Sequence, residues 1–134
     1  MSKTPSSLPI ITLLFAFFIL TVILLADVGR LSGLLQFLHT IPFGDKVGHF
    51  FLIGMLCFLT SGTAMRIFPR RQSGQVVALV CLGLAIIFGF EEASQSLLPA
   101  RKASLFDLLA NYAGIAVFGW LAWKCNSRHN RNIW

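Results

Sequence analysis

Four long apolar runs alternate with short polar breaks along this chain. The first, residues 8–26, is interrupted only by Thr12 and Thr21, whose hydroxyls can bond back to a carbonyl one helical turn earlier. Its length matches the roughly 20 residues a helix needs to cross bilayer hydrocarbon. It is longer than a typical signal-peptide core and no A-x-A-like cleavage site follows, so it reads as an uncleaved first span. Further spans are predicted at about 46–65, 76–96 and 105–123. Between the first two, Leu31, Leu34, Leu35 and Leu38 recur at helical spacing with Arg30, Ser32 and Gln36 interleaved, which predicts a short amphipathic helix in the interface. Pro42 and Gly44 close that helix. Arg66, Pro69, Arg70 and Arg71 end the second span, and Gln72, Ser73 and Gly74 are expected to form a tight turn. Pro99, Ala100, Arg101 and Lys102 make a loop, Ser104 is the expected N-cap of the last span, and 124–134 is expected to be a basic tail with Trp134 as an interfacial anchor. The predicted fold is one all-α domain, 1–134: four transmembrane helices, with an interfacial helix after the first.

Composition moves the picture further from a water-soluble domain. Only 12% of residues are charged against about 25% in an ordinary soluble domain. The mean hydropathy is +0.77. Thirteen Phe against one Tyr suit lipid contact. The formal net charge is +6, but the bases sit at the ends of apolar runs, which fits membrane orientation and anionic lipid head groups and sets nucleic-acid binding aside. Three cysteines make no disulfide framework. Cys57 and Cys81 fall inside apolar runs as small hydrophobes, and Cys125 lies at an edge with no role assigned.

With four spans, both termini share one side. That side carries Lys3, Arg66, Arg70, Arg71, Lys124, Arg128 and Arg131 and no acid; the other carries Arg30, Lys46, Arg101 and Lys102 beside Asp27 and Asp45. The positive-inside rule then places both termini in the cytoplasm.

Three polar clusters interrupt the apolar pattern at one expected depth. Asp45 and His49, Glu91 and Gln95, and Asp107 and Asn111 are each four apart, so each pair shares a helix face. Glu92 is rotated about 100° from Glu91, so one of the two is expected to face the bundle and the other the interface. At about 1.5 Å per residue, all lie within roughly 10 Å of the outer boundary. Acids in lipid need partners, and Lys46 and Arg101 are the natural counter-charges. The expected ligand-binding set is Asp45, Lys46, His49, Glu92, Gln95, Arg101, Asp107 and Asn111, with His49, Glu92 and Asp107 as candidates for acid–base chemistry. The plainer reading is a salt-bridge network that fixes helix packing, with His49 a satisfied structural group. His49, Glu92 and Asp107 match no metal-ligand spacing, and neither a metal nor a cofactor is expected. Neither a nucleophile elbow nor a glycine-rich phosphate loop is present. Gly44 with Gly48, Ala110 with Gly114, and Gly83 with Gly89 are expected points of close helix approach.

The ordered motifs D-K-x-x-H-F at 45–50, E-x-x-Q at 92–95 and R-x-x-S-x-x-D-x-x-x-N-x-x-G at 101–114 resemble the VanZ-like family. They cover the second to fourth predicted spans, and the first carries no motif. The resemblance implies a small polytopic protein of the bacterial inner membrane, in a family whose founding member is linked to resistance to the glycopeptide teicoplanin. Its motif positions here are Asp45, Lys46, His49, Glu92, Gln95, Arg101, Ser104, Asp107, Asn111 and Gly114. The expected role is in the cell envelope, with an outward-facing polar pocket that binds an anionic lipid-linked or peptidoglycan-related ligand. Lys46 and Arg101 would hold phosphate or carboxylate, and His49 and Glu92 would carry or sense protons. Two other readings stay open: an enzyme with Glu92 or His49 as general base on a lipid phosphate or ester, and a structural or assembly protein. Oligomeric state is open.

Overall fold

A computed structural model describes residues 7–30, 32–40, 44–97 and 105–131. Among the described residues the chain is all-helical: α1 (Leu8–Asp27), α2 (Ser32–Thr40), α3 (Gly44–Ile67), α4 (Ser73–Gln95) and α5 (Leu105–Arg131). Four of these, α1, α3, α4 and α5, are long and apolar enough to cross a membrane. The short α2 lies where the Leu31–Leu38 spacing predicts a helix.

The helix ends follow local chemistry. Gly29 takes a left-handed φ of 78°, and Arg30 N–H donates back to the Leu25 carbonyl at 2.9 Å, the six-to-one closure of a Schellman C-cap. α3 stops before Pro69, which disfavours helix at the residue preceding it, and Arg71 N–H closes a turn onto the Phe68 carbonyl at 3.2 Å. That turn replaces the one expected at Gln72–Gly74. Ser73 and Gly74 instead form the first turn of α4, because Pro69 has already reversed the chain. α5 also differs from expectation. It continues two turns past Trp123 into the basic tail. Residues 124–131 contain neither Gly nor Pro to break it, and Asn126 Nδ2 donates to Ser73 Oγ at 2.7 Å, fastening the extension to the start of α4.

Cross-links between helices fix their directions. Leu8 and Thr12 of α1 meet Gly62 and Thr63 of α3, with the two threonine hydroxyls 2.8 Å apart, so these helices are antiparallel. Phe50, Gly54 and Cys57 of α3 meet Gly114, Phe118 and Gly119 of α5 in the same order, so these run parallel. α4 is antiparallel to α5, pairing Ser73 with Asn126 and the Ala85 carbonyl with the Tyr112 hydroxyl at 3.2 Å. α3, α4 and α5 form the core. α1 packs mainly on α3, with only 6% of its apolar window buried against 33% for α5; it is a peripheral helix.

The closest approach is between α3 and α5, and small residues permit it. A Cβ on Gly114 would collide with the Phe50 carbonyl oxygen, and one on Gly54 would enter the Phe118 ring. Phe118 packs edge-on against Phe50 and Phe51 with centroids 5.8 and 6.2 Å away. Below it, a Cβ on Gly119 would meet Cys57 and Cys81, whose sulfurs are 3.7 Å apart and both reach the Ile115 carbonyl. The expected crossing residues Gly48 and Gly83 have open space around them. Gly114 is the expected crossing residue that makes a tight approach to a helix backbone.

Residue polarity is distributed in the opposite sense to that of a water-soluble bundle. Leu13, Phe17, Leu79, Ile87 and Phe90 are exposed, whereas Ser61, Glu92, Gln95 and Asn111 are buried. Water would drive the reverse arrangement.

Candidate functional site

The alternation of helix directions brings the N-terminal ends of α3 and α5 and the C-terminal end of α4 to one end of the bundle. Each end carries polar residues, and two contacts join them across α3 and α5. Lys46 Nζ lies 3.5 Å from Asp107 Oδ1, and His49 Nδ1 lies 3.1 Å from Asn111 Oδ1. Both contacts link positions of the expected ligand-binding set, and both sit directly above the Phe50–Gly114 approach, where the two backbones are closest.

Burial grades across the cluster. Lys46 is 31% exposed and Asp107 14%, an ion pair at the mouth. Asn111 is 0% exposed and Gln95 1%. Of the two adjacent acids, Glu92 is the buried one; Glu91 is half-buried and accepts a hydrogen bond from Gln95 Nε2. The phase of α4 explains the choice. Val76, Val77, Phe88, Glu92 and Gln95 are its buried residues; Val77 and Phe88 lie eleven residues, three full turns, apart, and Glu92 and Gln95 follow at steps of four and three, so Glu92 continues the core stripe and Glu91 falls beside it. That stripe was the sequence signal able to separate the two.

Asn111 Nδ2, an amide donor cut off from solvent, has no hydrogen-bond partner among the described residues. Leaving such a donor unmet costs about 1–3 kcal/mol, and a well-packed apolar side chain avoids that penalty. The site thus combines an ammonium–carboxylate pair at its mouth, an imidazole fixed through Nδ1, buried carboxyl and amide groups from α4, and an unmet N–H at its floor. Such a set can donate to a phosphate or carboxylate oxygen and can exchange protons through His49 or Glu92.

Asp45 lies in the first turn of α3, one turn before His49; its side chain, with Arg101 and Ser104, lies outside the described residues. Among the described residues, His49, Glu92 and Asp107 do not form a three-ligand cluster able to hold a metal. No family model, curated protein or solved structure matches this chain.

Proposed function

We propose that this chain is a multi-pass protein of the bacterial inner membrane, VanZ-like in character. In this reading α1, α3, α4 and α5 span the bilayer, α2 lies in the interface, and both termini are cytoplasmic. The polar end of the bundle is then an outward-facing pocket for an anionic ligand of the cell envelope, a lipid-linked phosphate or a peptidoglycan-related carboxylate. The inverted distribution of polarity supports membrane residence. The observation that carries the binding role is the unmet Asn111 Nδ2 beneath Lys46. A purely structural cluster gains nothing from a buried donor without an acceptor; a ligand oxygen would supply one.

The test is binding of a long-chain polyprenyl phosphate to the purified chain in detergent, against the same polyprenol without its phosphate. Phosphate-dependent binding is expected. Arg101→Gln should abolish it and Arg101→Lys should restore it only in part, because an ammonium cannot give the planar two-pronged contact of a guanidinium. Equal response to the two lipids, or binding unaffected by Arg101→Gln, overturns the anionic-ligand reading. An enzymatic reading is favoured by one observation: His49 engages Asn111 through Nδ1, which leaves Nε2 for proton transfer. Turnover of the bound phosphate or ester, lost in His49→Gln, would select that reading.

A further inference from the structure

The bundle has a second polar end, and it is purely basic. All five acids of the chain, Asp27, Asp45, Glu91, Glu92 and Asp107, lie where α1 and α4 end and where α3 and α5 begin. The opposite end carries Arg66, Arg70 and Arg71 at the α3–α4 turn and Lys124 on α5, with Arg128 and Arg131 following at one-turn steps of the same helix. The bond between Asn126 and Ser73 fastens the start of α4 to the α5 extension, so the α3–α4 turn with Arg70 and Arg71 and the turn of α5 that carries Lys124 lie at the same end of the bundle.

We infer that this end is a binding surface for the head group of an anionic glycerophospholipid in the leaflet that surrounds it. Three features select that occupant. The surface has cations with no acid among them, so its charge complements a phosphodiester. Lys124 Nζ sits 4.5 Å above the Trp120 ring, where the exposed indole lies just inside the basic rim, as an interfacial tryptophan does. Beside them a shallow hollow of ≈ 190 Å³ is lined by Trp120, Leu121, Lys124 and Cys125, apolar toward the bundle and cationic toward the rim, a profile that takes an acyl-chain start below and a phosphate above. This site is separate from the outward pocket and rests only on the reading that the helices span a bilayer.

The experiment titrates phosphatidylglycerol or phosphatidylcholine into the purified full chain in an uncharged detergent and follows the midpoint of thermal unfolding. Phosphatidylglycerol is expected to raise the midpoint and phosphatidylcholine to leave it unchanged. A base near an anionic surface is worth roughly fivefold in partitioning, so combined Arg70→Gln, Arg71→Gln and Lys124→Gln should demand roughly a hundredfold more phosphatidylglycerol. Arg30→Gln, at the other end, should change nothing. Equal effects of the two lipids, or a triple variant that responds like the parent, overturn the inference. Should the triple variant not accumulate, the salt response of the parent decides: a phosphatidylglycerol effect that weakens as salt rises supports the site, and one indifferent to salt overturns it. Extraction of membranes at alkaline pH separately tests whether the chain is embedded at all, so failure of the spanning reading is distinguishable from failure of the lipid site.

Discussion

His49 Nδ1 lies 3.1 Å from Asn111 Oδ1, so the one histidine of α3 is held by an amide that the bundle buries completely. The other half of that amide, Nδ2, is buried without a hydrogen-bond partner among the described residues. Evolution toward stability alone would replace such a group with an apolar one, so its presence suggests stability exchanged for binding. Asn111→Leu keeps the branched shape of the side chain and removes the unmet donor, together with the Oδ1 that meets His49. The expected outcome is thermal stability in detergent within about 1 kcal/mol of the parent, relief of the unmet donor offsetting the lost His49 contact, with loss of ligand response. Paired melting and binding measurements check it; a large loss of stability would mean that Nδ2 is satisfied and Asn111 is structural.

Lys46 and Asp107 make a pair that is neither fully exposed nor fully buried. Removing one partner should therefore cost between the about 1 kcal/mol of exposed pairs and the about 3 kcal/mol at which buried pairs begin. Lys46→Met is expected to destabilise more than Asp107→Asn, because it strands a carboxylate whose Oδ1 is cut off from solvent. The double variant Lys46→Met with Asp107→Leu should recover most of the loss. A double-mutant cycle measures the coupling, and strictly additive effects would show that the 3.5 Å contact carries no energy.

The helices were legible in the sequence because long apolar runs and prolines mark them directly. Contacts between helices were less so, because they depend on how each helix is rotated and where it crosses its neighbour. The motif spacing put Asp107 and Asn111 on one face, and α5 does present both to α3. It gave no means of choosing Gly54 and Gly119 over Gly48 and Gly83, since all four are glycines in apolar helices and only the crossing geometry separates them. The end of α5 was misplaced for a different reason. Hydropathy falls at Lys124, and that drop marks where an apolar span ends, not where helical hydrogen bonding ends.

The glycines allow a graded prediction. At Gly83 an added methyl meets nothing within 4 Å, so Gly83→Ala should stabilise the helix by up to about 1 kcal/mol through intrinsic propensity. At Gly54 the obstacle is the Phe118 side chain, which can rotate away at the expense of its packing on Phe50 and Phe51. At Gly114 the obstacle is the Phe50 backbone carbonyl, which cannot move without parting α3 from α5. Gly114→Ala should be the most damaging of the three, by about 1–3 kcal/mol, and should disturb the His49–Asn111 contact one turn away. Melting temperatures in detergent test the order Gly83→Ala, parent, Gly54→Ala, Gly114→Ala. A neutral Gly114→Ala would mean that the helices do not approach this closely.

The proposed orientation rests on the separation of charge along the bundle axis. The end built from α1 and α4 C-termini and α3 and α5 N-termini holds every acid of the chain, and the other end holds bases alone. A basic end is retained on the cytoplasmic side during insertion. Cysteine substitution at Ala100, on a parent with Cys57, Cys81 and Cys125 replaced by Ala or Ser, should therefore react with an impermeant thiol reagent in intact cells, while a cysteine at Gln72 should react only after the cells are opened. The proposed pocket depends on this result more than on any side-chain measurement. If Gln72→Cys is labelled in intact cells and Ala100→Cys is not, the same polar groups face the cytoplasm. A peptidoglycan-related ligand would then be ruled out by location, and the occupant would have to be a cytoplasmic anion or the inner-leaflet form of a lipid phosphate.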